Sequence, residues 1–416
     1  MDSSKRPPGP RSAAVAPSLL REMNQRLLLD RLFVHGPATR PELARDCGLS
    51  QPTVFAALAD MEKSGLVRPC GRSEVPQGRP AMQYEANPTI GTVVGVDIGH
   101  DWLRLLATDL AGNQLSRLDV RNTARSARAL VERVSQAVAD VTAEAGQQPS
   151  AVTHTVIGSP GVYDPQHRRV MYAANLPGWQ RAGLADALTE KLGTNLTIDN
   201  DANLAALGEL TYGAARGVQQ FVYLTIGTGL GLGLVLDGQL YRGFTGAAGE
   251  VGYLPIGDEP TTAPAENPQR GKLEEALAAD AVVRRAVSAG MTSPITAEQV
   301  FTAARQGDPR ALDAVRAEAT KLAQLVAGIL AFLDPELIVV GGGVGQNLDL
   351  LEPEMTAALA QLTPLRPTMT TGDLGREAVV RGAIAIGVER ARETVFNARR
   401  NGHQASATKA TKRTSS

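Results

Sequence analysis

The stretch VVGVDIGHDWLRLLATDLAGN (residues 93–113) recurs in outline as LTIGTGLGLGLVLDGQ (residues 224–239). Each copy reads as a strand, a glycine-containing turn, a second strand and a hairpin turn. A repeated strand–turn–strand unit constrains the chain to two similar α/β lobes with a cleft between them. With 416 residues the chain is too long for one simple core, so further structural units are expected.

Around the first copy the pattern predicts a helix over 125–144 and a strand over 153–158 entering SPGVYDP. A strand through RRVMY and a loop carrying Asn175 and Trp179 follow. Around the second copy, helices are expected over 273–287, 297–306 and 309–332. A buried strand over 336–340 then runs into Gly341-Gly342-Gly343. A helix from Asn347, a strand near Thr368 and a final helix over 377–397 complete the second lobe.

Between the copies lies IDNDANLAALGEL, which ends an apolar run and places Asn200 and Asp201 at the start of an apolar helix. An open carboxylate there suits sugar-like hydroxyl groups or a transferable proton. The plainer reading is that residues 199–203 only cap the helix, a task Asp and Asn also favour. The loop Gly227-Thr228-Gly229-Leu230-Gly231 admits two readings as well. Its amides can approach a phosphate, or its glycines can serve tight turns.

Residues 17–88 have the pattern of a winged helix-turn-helix. Leu20, Met23, Leu27, Leu28 and Leu32 are taken as the inward face of a first helix, and Pro41 opens a short second helix stopped by Gly48. Ser50 caps a third helix whose Val54, Leu58 and Met61 face inward. Its other face offers Gln51, Thr53, Phe55, Ala56 and Ala59 to a major groove. The segment GRSEVPQGRPAMQY reads as a wing, with Arg79 presented to a minor groove. A helical protein-interaction module shares this outline, but the capped helix, glycine turn and basic wing together favour DNA. With 42 Lys+Arg against 43 Asp+Glu, any such affinity is a local surface property.

The remaining divisions are a disordered arm (1–16), a first lobe (89–200), a second lobe (201–398) and a disordered basic tail (399–416). Cys47 and Cys70 supply no metal cluster and fit a reducing compartment. No membrane-spanning run or signal peptide is read, so a cytoplasmic location is expected.

Taken in order, the winged helix-turn-helix, VGVDIGHDWLRLLATDLAG, SPGVYD, ANLPGW, IDNDANLAALGE, LTIGTGLGLGLVLDG, GAAGEVGY and IVVGGGV resemble the ROK family of repressors and sugar kinases. The resemblance covers residues 19–397 and implies paired actin/hexokinase-like lobes of ribonuclease-H type behind a DNA-binding domain. It implies sugar ligands at Asn175, Asn200, Asp201, Glu250 and Glu274, with Asp201 matching the kinases' general base, and it places Tyr253 where the family has a sugar-facing histidine.

The departures from the family pattern are informative. The first phosphate turn, Asp-x-Gly-Gly-Thr in the kinases, here runs Asp97-Ile98-Gly99-His100-Asp101, which sets two carboxylates in one loop. Asp97, Gly99, Gly227, Thr228, Gly229 and Gly342 are therefore taken as vestiges of nucleotide loops. The family's zinc set is replaced by Tyr253, Ala265, Asn267 and Lys272, so neither metal nor cofactor is expected.

The resemblance implies a sugar-responsive repressor that is not an enzyme. Its partners would be operator DNA, a monosaccharide or sugar-phosphate effector and further copies of the chain as a homodimer or homotetramer, with no membrane. The alternatives are an ATP-dependent sugar kinase with an appended DNA-binding domain, or a regulator whose lobes only oligomerise.

Overall fold

The computed structural model describes residues 17–73, 80–173, 179–256 and 270–413. They form two compact units, the described residues within 17–90 together with 392–413, and those within 91–391.

The first unit runs α1 (Pro17–His35), β1 (Ala38–Thr39), α2 (Arg40–Cys47), α3 (Gln51–Lys63), β2 (Val67–Arg72) and β3 (Met82–Ala86). Its sheet order is β1-β3-β2, a winged helix-turn-helix. The α2 N-terminus carries a capping box between Thr39 and Glu42, and Gly48 ends that helix in the left-handed region. Leu28, Leu32, Leu43, Val54, Leu58 and Met61 form the core. Leu20, Met23 and Leu27, expected inward, are exposed instead. The stripe from the sequence merges two sides of one helix. At 100° per residue, Leu28 and Leu32 share a face with Gln25 and Leu29, all of them buried, and lie opposite Leu20, Met23 and Leu27.

The second unit opens with β4 (Thr92–Ile98), β5 (Trp102–Asp109), β6 (Gln114–Arg121), α4 (Ala127–Glu144) and β7 (Val152–Ser159). The hairpin β8 (Val162–Asp164) and β9 (Arg169–Met171) follows, then α5 (Leu184–Leu192), β10 (Asn195–Asn200) and α6 (Asp201–Tyr212). The second lobe has β11 (Phe221–Ile226), β12 (Leu230–Leu236), β13 (Gln239–Tyr241), α7 (Lys272–Leu277), α8 (Ala279–Ser288), α9 (Ala297–Arg305) and α10 (Pro309–Leu333). It closes with β14 (Leu337–Gly341), α11 (Gly342–Gly345), α12 (Leu348–Leu362) and β15 (Met369–Thr371), and α13 (Ala378–Arg413) ends the chain.

The two sheets have matching orders, β6-β5-β4-β7-β10 and β13-β12-β11-β14-β15, each an antiparallel meander extended by parallel crossovers. This is the repeat read in the sequence, realised as two lobes. β4 is buried at every position because both faces of its sheet are covered. Helices α6 and α13 meet at paired glycines. A β-carbon on Gly382 would overlap the Leu204 carbonyl, and one on Gly208 would overlap the Ala378 carbonyl.

Three expectations change. The helix expected over 273–287 breaks at Ala278, whose backbone is extended, so that Ala279 N–H reaches the Gly227 carbonyl at 2.7 Å. The tail expected to be disordered from 399 continues α13 to Arg413, since Ala405, Ala407, Ala410 and the basic residues are helix formers and no proline intervenes. Residues 392–398, assigned to the second lobe, belong to the first unit. There Arg392 stacks on Phe33 at 3.9 Å, and Arg26 stacks on Phe396 at 5.0 Å and donates to Asn397 at 3.2 Å. The arm 1–16 lies outside the described residues.

Candidate effector site and DNA-binding face

Strand β10 ends at Asn200, whose side-chain oxygen accepts from Asn203 N–H at 3.1 Å and whose amide donates to the Gly161 carbonyl at 3.1 Å. The capping alternative is therefore realised for Asn200. Asp201, the first residue of α6, accepts from the N–H of its neighbour Ala202 at 2.8 Å and from its own backbone N–H. Glu250 lies just before a short helical turn containing Tyr253, and Glu274 lies in the first turn of α7. Glu274 accepts from the backbone N–H groups of Gly271 and Leu230 and is flanked by Arg270.

These carboxylates feel one another. Burial, then Asp201 and Glu274, push Glu250 up to about 7. Burial also raises Asp201 and Glu274. Such a cluster is unfavourable when empty, and donors from clustered hydroxyls would relieve it. Asn175 lies outside the described residues. A cavity of about 410 Å³ bounded by Glu275, Arg284, Arg285 and Asp313 includes none of these carboxylates.

The first phosphate-type turn is occupied by its own chain. Asp97 is buried and its carboxylate accepts from Arg104 at 3.1 Å across the β4–β5 pair. Burial still lifts Asp97 to about 6, against the guanidinium and with Asp201 adding to the rise. Each of the two carboxylates read in this loop has a partner, Arg104 for Asp97 and His100 for the exposed Asp101 at 2.9 Å. Asn122 donates to the Gly99 carbonyl at 2.9 Å and fixes the turn. On the other side, Gly227 N–H is taken by the Gly229 carbonyl at 2.9 Å, and the Thr228 carbonyl accepts from Arg270 at 3.2 Å. Gly342 has φ 80° and sits against Ile226 backbone, a structural need for glycine.

Zinc does not fit the described donors at the family's position. Tyr253 offers a phenol, Lys272 an ammonium, and both cysteines lie in the first unit. Ala265 and Asn267 lie outside the described residues.

On α3, Ser50 caps the helix through Thr53 N–H at 3.3 Å, and the two hydroxyls meet at 2.8 Å. Gln51 and Ala56 are exposed. Phe55 is 54% exposed, but its ring also carries the Arg40 guanidinium at 4.6 Å. The same guanidinium lies 5.2 Å from the Tyr84 ring and donates to the Tyr84 hydroxyl. This basic aromatic cluster was missed from sequence because its members come from α2, α3 and β3. Arg79 lies outside the described residues. Arg104 had a legible signal, since it faces Asp97 across a tight hairpin with opposite charge.

The chain matches the ROK family over residues 93–390 and a winged helix-turn-helix DNA-binding family over 24–68. It is 26% identical over 341 residues to the xylose repressor of Caldicellulosiruptor bescii, covering 78% of this chain and 84% of that one. It is 30% identical over 274 residues to the glucokinase of Thermotoga maritima, covering 62% and 84%. The fold resembles a ROK transcriptional regulator described as a homologue of the Escherichia coli MLC protein. In that case the TM-score is 0.74 at 20% identity, covering 91% of this chain and 98% of that one.

Proposed function

The chain belongs to the ROK family, and from that membership we propose that it is a sugar-responsive DNA-binding repressor whose kinase-like cleft binds its effector without phosphorylating it. The observation that carries this reading is the contrast between two parts of the cleft. The carboxylates Asp201, Glu250 and Glu274 are half-buried and close enough for Asp201 and Glu274 to act on Glu250, which suits them to bind hydroxyl groups, while Asp97 of the phosphate turn is engaged by Arg104. The winged unit and the xylose repressor relative favour operator DNA as the output. The effector is then a monosaccharide or its phosphate, and operator recognition takes a homodimer or homotetramer. No zinc or nucleotide is needed.

The purified chain should bind DNA from upstream of its own gene or of a sugar-uptake operon, with log affinity falling linearly against log salt. A coupled ADP-release assay with ATP, Mg²⁺ and a panel of hexoses, pentoses and amino sugars should give no sugar-dependent turnover. The glucokinase relative makes kinase activity the competing reading. Turnover that disappears in Asp201→Asn would establish it and defeat the proposal.

A further inference from the structure

Tyr172 follows β9 in the first lobe, and its ring meets that of Tyr253 in the second lobe edge to face, with centroids 5.7 Å apart and planes at 65°. Tyr253 sits in the turn that follows Glu250, and the Glu250 and Glu274 charges both act on its hydroxyl. The aromatic pair therefore stands beside the carboxylate cluster. Both rings remain accessible, Tyr172 at 49% and Tyr253 at 43% exposure.

Core packing does not account for this placement. Tyr172 has φ 61°, a left-handed conformation that is costly for a bulky residue and persists where the surroundings impose it. The backbone around it is packed closely on Gly161, where a β-carbon would overlap the Met171 carbonyl and come within 2.9 Å of Ala173 N. A strained, half-exposed tyrosine is thus held against Tyr253, in the turn that follows Glu250.

We infer that Tyr172 is a specificity-determining contact of the effector pocket, with the Tyr172–Tyr253 pair forming the wall on which the C–H face of a ring-form sugar rests. This rests on the cleft being an effector site. Carboxylates and amides read hydroxyl groups, which an aldose and its reduced, open-chain polyol both carry. Only the ring form also offers a rigid apolar face to an aromatic wall. The pocket therefore prefers ring-form aldoses to polyols. Because each lobe supplies one tyrosine, a sugar lying on the pair touches both.

The test is thermal stabilisation of the full chain by D-xylose, xylitol, D-glucose and sorbitol over a concentration series. Wild type, Tyr172→Phe and Tyr172→Asn are compared. Asparagine tolerates the left-handed region, so that variant keeps the local backbone; Tyr172→Gly, free of strain at this φ, repeats the test if it misfolds. Wild type should prefer the aldose to its polyol by about ten-fold, and Tyr172→Phe should keep that preference. Tyr172→Asn should lose about ten-fold in aldose affinity, with the aldose-to-polyol ratio falling towards one. Wild-type aldose affinity in Tyr172→Asn, or equal weakening of aldose and polyol, overturns the inference alone. A wild-type chain stabilised by no sugar overturns the effector reading with it.

Discussion

Replacing Asp201 with alanine should lower apparent sugar affinity by about a hundred-fold while leaving the unliganded fold intact. A carboxylate that accepts hydrogen bonds from a bound sugar contributes about 1.5–3 kcal/mol for each charged hydrogen bond lost, and each 1.4 kcal/mol is ten-fold in affinity. Burial already raises the Asp201 carboxyl, so its removal takes away a cost as well as a contact. Its position in the first turn of α6 adds a small opposing benefit from the helix dipole. The unliganded melting temperature should therefore not fall. Isothermal titration with the sugar that stabilises the wild type, together with unliganded melting, separates the outcomes. Unaltered sugar affinity in this variant would remove Asp201 from the effector site.

Replacing Gly382 with alanine should destabilise the second unit, against the sign that helix propensity alone dictates. In a helix interior alanine gains about 1 kcal/mol over glycine. At the α6–α13 crossing, however, the new β-carbon meets the Leu204 carbonyl and lies 3.0 Å from Gly208 N, both backbone atoms with no flexible side chain to yield. Overpacking of this kind costs about 1–3 kcal/mol, and a backbone obstacle places it at the upper end. The net loss is about 2 kcal/mol by equilibrium denaturation. Because α6 begins at Asp201, its displacement should also weaken sugar binding. A more stable Gly382→Ala chain would mean that the two helices are not held at these glycines.

The sequence was most legible where local chemistry and long-range structure agree. The repeated strand–turn–strand units became two sheets of the same order, and the Ser50 cap, the Gly48 stop and the Val54, Leu58 and Met61 face stand as read. Glu250 and Glu274 come together with Asp201 although they belong to separate segments, and here the family motifs supplied what periodicity could not. The failures come from partners distant in sequence. Arg40 meets both Phe55 and Tyr84, and Tyr172 of the first lobe meets Tyr253 of the second. No local pattern encodes either meeting. The α1 error has a different cause. Leucines occupy both sides of that helix, so hydrophobicity alone did not choose the buried one. The Ala278 break was hidden because Ala276, Leu277 and Ala279 beside it are good helix formers, and a backbone bond to Gly227 overrides propensity there.

The most direct measurement is the affinity of the full chain for labelled operator DNA, by fluorescence anisotropy at fixed salt, with and without a saturating sugar chosen by its thermal shift. Coupling between distinct sites is about 1–3 kcal/mol, so operator affinity should change by about 5- to 150-fold, and DNA should change sugar affinity by the same factor. Operator affinity that stays the same while the cleft is demonstrably full of sugar would contradict a repressor governed by its carbohydrate site.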